Sequence, residues 1–80
     1  MVLHYVYVIE CSNQTYYTGI TNNVPKRIVE HQLGKSKSTQ YRRPIKLKCF
    51  FCFPNKHKAA QFEKYLKSHS GRAFLIKHLI

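Results

Sequence analysis

The sequence predicts an α+β domain in which a small three-stranded antiparallel sheet is flanked by helices, in the order ββαβαα. Two segments rich in β-branched and aromatic residues, 3–11 and 15–21, flank the polar stretch Ser12-Asn13-Gln14, which is a hairpin signal. A third apolar segment, 45–53, follows a polar region and supplies the last strand. We take residues 1–80 as a single domain, because a chain of this length has room for only one core.

The first helix is predicted over residues 24–33, directly after the hairpin. Asn23 offers a side chain that caps a helix start, and Pro25 suits the first helical turn. Gly34 is a good residue for the end of that helix. The first strand carries apolar residues on both faces, so we expect it to be covered on both sides.

The second half of the chain predicts two more helices. Residues 56–68 place Ala59, Phe62 and Leu66 at helical spacing, which indicates one buried stripe. Ser70-Gly71 is then expected to break the chain. The segment 72–80 is predicted as a short final helix, and the side chains it makes available to the core are Phe74, Leu75 and Leu79.

The charge of the chain points to a polyanionic partner. The sequence has 14 Lys and Arg against 3 acidic residues, a formal charge of +11. Such a field attracts polyanions, and phosphate neutralisation supplies most non-specific affinity for nucleic acid. An anionic membrane is a weaker alternative, because no segment is apolar and long enough to span a bilayer. Without a signal-peptide pattern, the protein is expected to be cytoplasmic.

The chain has three cysteines, an odd number that is typical of proteins in a reducing compartment. Cys49 and Cys52 match the C-x-x-C pattern of zinc and redox sites. In a strand, however, side chains three apart point to opposite faces, so the two thiols would not bind one ion. The favoured interpretation is that the cysteines are ordinary buried residues.

Several polar residues have both a structural and a functional interpretation. Arg27 and His31 are four residues apart and share one face of the first helix, either as solvated side chains or as a phosphate site. Glu63 lies among lysines, where it is either an ion-pair partner or a metal ligand. Segment 35–43 is either a solvated loop or a surface that contacts the nucleic-acid backbone. The residues of that loop with suitable chemistry are Lys35, Lys37, Tyr41, Arg42 and Arg43.

Taken together, these residues resemble the GIY-YIG nuclease family, and in particular its small stand-alone branch (UPF0213-like). Val6-Tyr7 stands where the family has the end of Gly-Ile-Tyr, and Tyr17-Thr18-Gly19 matches Tyr-Ile-Gly. Arg27 and His31 match the Arg-x-x-x-His helix, and Glu63 matches the metal-binding Glu of a later helix.

Two further features bear on the match. Arg42-Arg43-Pro44 before the third strand also resembles the small branch. Tyr5 departs from the signature by replacing its first glycine. The resemblance covers nearly the whole chain.

The resemblance implies hydrolysis of phosphodiester bonds with one Mg²⁺ or Mn²⁺ ion and no other small-molecule cofactor. It assigns metal binding to Glu63, and it assigns to Arg27 the stabilisation of the charge that develops on the phosphate in the transition state. Tyr7 would activate the water or relay its proton. Tyr17 and His31 would orient the water and phosphate or shuttle a proton, and Gly19 would keep the floor of the site open to nucleic acid.

Three functions remain open on the sequence alone. The retained residue set favours an endonuclease, acting on DNA in preference to RNA and selecting by structure because no further recognition domain is evident. A nucleic-acid-binding module without catalysis explains the charge equally well. A protein adaptor with an acidic partner is the third, and it predicts no steep loss of nucleic-acid affinity with salt.

Overall fold

The predicted order ββαβαα is confirmed by a computed structural model, which describes residues 2–80 of the chain. Each predicted element is present within a few residues of its expected bounds. The elements are β1 (His4–Glu10), β2 (Tyr16–Thr21), α1 (Val24–Gln32), β3 (Lys46–Phe53), α2 (Lys56–Lys67) and α3 (His69–His78).

The three strands form one antiparallel sheet in the order β2-β1-β3. The central strand therefore has a neighbour on each side, and its register places Tyr7 opposite both Gly19 and Phe50. The predicted turn closes the β1–β2 hairpin, where the amide of Cys11 donates to the carbonyl of Thr15 at 2.8 Å. This register brings the two tyrosine segments of the sequence side by side.

Both faces of the sheet are covered, as the apolar pattern of β1 predicted. On one face Val6 and Val8 pack with buried residues of α2 and α3, chiefly Ala59 and Leu66. On the other face lie Tyr7, Ile9, Cys11 and Ile45, with Ile28 of α1 packed against them. Alternation along the strand thus separates two small cores.

The predicted signals for α1 are found where the sequence places them. The side chain of Asn23 accepts the amide of Lys26 at 3.1 Å, and Pro25 lies in the first turn. The helix ends at Gln32 rather than residue 33, and Gly34 follows with a φ of 78°, the left-handed conformation that glycine adopts without strain.

The predicted break at Ser70-Gly71 is wrong, because α3 begins three residues earlier than expected. Ser68 is the N-cap, and its hydroxyl accepts the amide of Gly71 at 3.1 Å. Gly71 is buried in the first turn, where a Cβ would collide with the carbonyl oxygen of Tyr65. The glycine therefore allows α2 and α3 to meet closely and does not interrupt a helix.

Two side-chain expectations also need correction. Phe74 was expected in the core, but it lies at the surface beside Tyr65, while Leu75 is buried. The cysteines are free, yet only Cys11 is buried, and Cys52 is exposed. Cys49 and Cys52 do lie on opposite faces of β3, as their spacing indicated. No helix within residues 2–80 is long and apolar enough to cross a lipid bilayer.

Candidate active site

The centre of the candidate site is the hydroxyl of Tyr7, which lies under α1. Tyr7 is buried in the middle of the central strand, and α1 places Arg27 and His31 above it, one helical turn apart. The hydroxyl lies 2.8 Å from Nε2 of His31, and Nε of Arg27 donates to it at 3.3 Å. Arg27 and His31 therefore share one helix face, as the sequence predicts, and both contact the hydroxyl of Tyr7.

Arg27 donates to the oxygen of Tyr7, while the two hydrogen bonds of the His31 ring take their direction from its tautomer. With hydrogen on Nδ1, the phenol of Tyr7 donates to Nε2, and Nδ1 donates to the hydroxyl of Thr39, which lies 2.7 Å away. With hydrogen on Nε2, both bonds run the other way. A continuous chain thus runs from Arg27 through Tyr7 and His31 to Thr39.

Thr39 is a site residue that the sequence analysis missed. It is fully buried at the far end of the chain of hydrogen bonds, although it belongs to the loop 35–43. Its position fixes the orientation of the imidazole of His31. No local signal marks it, because a threonine in a basic, polar loop looks like any solvated residue.

Tyr17 completes an aromatic cluster around the histidine. Its ring centroid lies 5.5 Å from that of His31 and 6.4 Å from that of Tyr7. Gly19, on the same strand, is buried directly beneath Tyr7, and a Cβ there would collide with the phenol oxygen. In this structure the missing side chain of Gly19 accommodates Tyr7, which explains its place in the signature.

The environment shifts the proton affinities in opposite directions. Burial raises the pKa of Tyr7, and the hydrogen bond from Arg27 offsets this only in part. Burial lowers the pKa of His31, and the charge of Arg27 lowers it further, against a smaller opposing effect of Glu30. Both shifts in pKa favour the neutral forms, a protonated phenol at Tyr7 and an uncharged imidazole at His31.

Arg27 is held in place but keeps part of its fork available. Its Nη1 makes an ion pair with Glu30 at 3.1 Å, and Nε contacts Tyr7. Among residues 2–80, Nη2 has no hydrogen-bond partner, and 30% of the side-chain surface is accessible to solvent. A guanidinium in this state can still donate to a phosphate oxygen.

Glu63 is the residue that the resemblance assigns to the metal ion. It lies on α2, 3.3 Å from the ammonium of Lys67, so the ion-pair interpretation is correct for this state. Its charge is the smallest of the effects that raise the pKa of Tyr7. Residues 2–80 contain no cluster of three or more metal-ligating side chains. A single carboxylate fits Mg²⁺, which commonly uses one or two and fills its remaining positions with water and phosphate oxygens.

The predicted nucleic-acid loop divides into two groups. Lys35, Lys37 and Tyr41 are exposed, and the ring of Tyr41 is 90% accessible. The two arginines instead hold the loop together: Arg42 donates to the carbonyl of Ser38 and to the hydroxyl of Thr15, and Arg43 to carbonyls on α1 and the loop. Their charges remain at the surface, and about half of their N–H groups donate within the protein.

Comparison with known proteins agrees with this geometry. The family model described as the GIY-YIG catalytic domain matches residues 3–77. A UPF0213 protein of Haloquadratum walsbyi is 41% identical over 68 residues, covering 84% of this chain and 76% of its own length. A UPF0213 protein of Halobacterium salinarum is 44% identical over 69 residues, covering 85% of this chain and 90% of its own.

A solved structure gives the same fold. The NMR structure of a UPF0213 protein from Bacillus halodurans superposes with a TM-score of 0.60 at 37% identity, over 94% of this chain and 83% of the other. The resemblance and the fold class predicted from the sequence are both confirmed. The chain therefore belongs to the GIY-YIG nuclease family and is similar to its UPF0213 members.

Proposed function

We propose that the protein is a divalent-metal-dependent endonuclease that hydrolyses phosphodiester bonds, in DNA in preference to RNA, and selects by structure rather than sequence. The observation that carries this proposal is the hydrogen-bonded chain Arg27–Tyr7–His31–Thr39. It joins a proton donor, a proton acceptor and a phosphate-binding fork within one buried cluster. A module that only binds nucleic acid has no need of such a chain.

Tyr7 and His31 act as a proton relay in this proposal. The attacking water gives a proton to the oxygen of Tyr7 while the phenolic proton passes to Nε2 of His31. The hydroxide bonds to phosphorus, and the departing oxygen leaves with the electron pair of the broken bond and takes a proton from solvent. The relay uses the tautomer of His31 that carries hydrogen on Nδ1, and the imidazolium formed during the step keeps its hydrogen bond to the hydroxyl of Thr39.

Arg27 links substrate binding to this relay. At rest its Nε occupies a lone pair of the oxygen of Tyr7, which is almost fully buried. Turning the fork toward a phosphate oxygen frees that lone pair to accept the proton of water. The same movement places a fixed positive charge beside the charge that develops in the transition state.

Glu63 is the residue that would hold the divalent ion. A bound Mg²⁺ or Mn²⁺ supplies Lewis acidity, which polarises the phosphate and acidifies water. Lys67 must release the carboxylate or share it, since its ammonium is now the cation partner of Glu63. The chain itself contributes orientation and charge rather than a complete set of ligands.

The test is cleavage of labelled single-stranded, duplex, nicked and branched DNA and RNA with Mg²⁺, with Mn²⁺ and with a chelator. Glu63→Gln keeps the shape of the side chain but removes its charge, so cleavage should be abolished while binding persists. Lys64→Ala, a change at the next residue on the exposed side of α2, is the matched control and should cut like the parent. Cutting by Glu63→Gln at the parental rate would contradict the assignment.

The ion pair between Lys67 and Glu63 favours a second candidate, a nucleic-acid-binding module that does not cleave. In that case the lysine permanently neutralises the carboxylate. The same panel separates the two functions. A protein that only binds nucleic acid would bind the probes and cut none of them with either metal. Its affinity would still fall steeply with salt.

A further inference from the structure

A cavity opens beside the candidate active site, between β2 and the corner where α2 meets α3. We call it the corner groove, and its volume is 460 Å³. Pockets that enclose small molecules commonly measure roughly 300–1,000 Å³. Tyr17 lines this groove and also packs on His31, so the groove and the catalytic cluster share one side chain.

Three cations surround the corner groove. Arg42 reaches it from the loop, Lys67 from the end of α2 and Arg72 from the first turns of α3. Arg42 is fixed by its hydrogen bonds to Ser38 and Thr15. The guanidinium of Arg72 is exposed and makes no hydrogen bond or ion pair with any residue in 2–80. The rim is therefore strongly positive, and the guanidinium of Arg72 is available to bind a ligand.

The wall between these cations is apolar and aromatic. Tyr16, whose ring packs on the sheet face under α2 and α3, lies on one side of it, and Leu75 and Ile76 contribute the other. Ile76 is 60% exposed, so its side chain is accessible to a ligand. An aromatic and aliphatic surface beside phosphate-binding cations is the combination that binds an unpaired base together with its backbone.

The tight corner between α2 and α3 creates this arrangement. Ser68 ends α2 and caps α3, and Gly71 lets the two helices approach without a side chain between them. As a result Lys67 and Arg72, five residues apart in sequence, converge on one groove from two helices. The ammonium of Lys67 also lies 5.8 Å from the ring centroid of Tyr17, which connects the groove to the catalytic cluster.

We propose that the corner groove binds one unpaired nucleotide of a single strand, with its base against Tyr16 and Ile76 and its phosphates on Arg42 and Arg72. The placement rests on the proposed nuclease function, because the strand would then pass Tyr17 toward the phosphate to be cut. A base in a duplex is paired and stacked and cannot enter the groove without being extruded. The substrate class is therefore single-stranded nucleic acid, or a junction that contains an unpaired stretch.

Binding in chelator tests the groove without any chemistry. Fluorescence anisotropy is measured with labelled oligothymidylate, with the same strand made abasic throughout, and with a duplex of equal length. The parent should bind oligothymidylate roughly tenfold more tightly than the abasic strand, because a stacked base contributes on that scale. Equal affinity for these two strands, or equal or tighter binding of the duplex, would overturn the proposal.

Two variants with matched controls assign the contacts. Arg72→Ala should weaken oligothymidylate binding about tenfold or more and reduce the salt slope, whereas Lys77→Ala, which removes the same charge elsewhere on α3, should have little effect. Ile76→Ser should reduce the preference for bases, while Val29→Ser, at an exposed valine of α1, should not. Equal losses from Arg72→Ala and Lys77→Ala would show only a diffuse electrostatic attraction and overturn the assignment.

Cleavage by the same proteins with Mg²⁺ keeps this proposal separate from the nuclease proposal. If the parent binds oligothymidylate through Arg72 but never cuts any strand, the groove proposal stands and the nuclease proposal fails. If the parent cuts duplex and single strand equally and Arg72→Ala has no effect, the nuclease proposal stands and the groove proposal fails.

Discussion

The two faces of the sheet are built from the same strand but use burial in opposite ways. The face under α2 and α3 buries an aliphatic cluster that includes Val6, Val8 and Leu66. The face under α1 buries a phenol, an imidazole and a threonine hydroxyl joined by hydrogen bonds. In the first, burial stabilises the fold; in the second, it sets proton affinities.

This difference shows how so small a domain accommodates a polar site. No buried side-chain nitrogen or oxygen within residues 2–80 lacks a hydrogen-bond partner, so the polar face avoids the cost of unpaired groups. The apolar face has no such requirement and can supply the packing free energy. Four predictions test this division, in order of decreasing expected effect.

The largest effect is expected on activity, at the polar face. Arg27→Ala should lower kcat/KM by about 10²–10³, because in the proposed mechanism it removes the donor that stabilises the developing charge on the phosphate. Its effect on stability should be small, since the side chain is partly exposed. Cleavage rates and urea unfolding of this variant would be compared with Lys26→Ala, at the exposed preceding position. A variant that cuts as fast as the parent would remove Arg27 from the mechanism.

The second effect is expected on stability, at the apolar face. Leu66→Ala should lower the free energy of unfolding by about 2–5 kcal/mol, because Leu66 is fully buried and its removal leaves a cavity. Leu33→Ala, at a leucine that is 61% exposed just after α1, is the control and should change stability by no more than about 0.5 kcal/mol. Similar losses in the two variants would mean that the aliphatic cluster does not dominate stability.

A smaller effect on both properties is expected at Thr39. Thr39→Val keeps the shape but leaves Nδ1 of His31 without its partner, which should cost about 1–3 kcal/mol of stability. The rate of cleavage should fall as well, because the imidazole loses its fixed orientation. Thr39→Ser restores the hydroxyl and should recover the rate; failure of that rescue would make Thr39 a packing residue only.

The smallest effect is expected in the pH dependence of stability. His31 has a lowered pKa in the folded protein, among Tyr7, Tyr17, Arg27 and Glu30, so the unfolded chain takes up its proton first as pH falls. The free energy of unfolding should therefore decrease as pH drops below about 6.5.

Urea titrations at several pH values measure how the free energy of unfolding changes with pH. His31→Gln should reduce this dependence, whereas His57→Gln, at an exposed histidine of α2, should leave it as in the parent. A parent whose stability is constant through this range would contradict the neutral, buried state of His31.

The elements that the sequence predicted well have local causes. The hairpin turn depends on a short polar stretch between β-branched segments, and α1 depends on Asn23, Pro25 and Gly34. Arg27 and His31 are one helical turn apart, so their shared face follows from helix geometry alone. Such features involve residues close in sequence, and local rules suffice for them.

The wrong prediction of a break at Ser70-Gly71 has a tertiary cause, because close packing against Tyr65 places Gly71 inside α3. The hydrogen bonds that Arg42 and Arg43 make within the protein depend in part on residues outside the loop, Thr15 and Gln32, which no local pattern specifies.

By itself the sequence determined the order of elements, the positive field and the tyrosine, arginine, histidine and glutamate set that places the chain in its family. Only the tertiary structure decided that Thr39 orients His31, that Gly19 accommodates the phenol of Tyr7, and that Lys67 and Arg72 converge on the corner groove. The physical reason is the range of the interactions. Turns, caps and helix faces follow from neighbouring residues, whereas buried hydrogen bonds and cavities exist only once distant segments pack together.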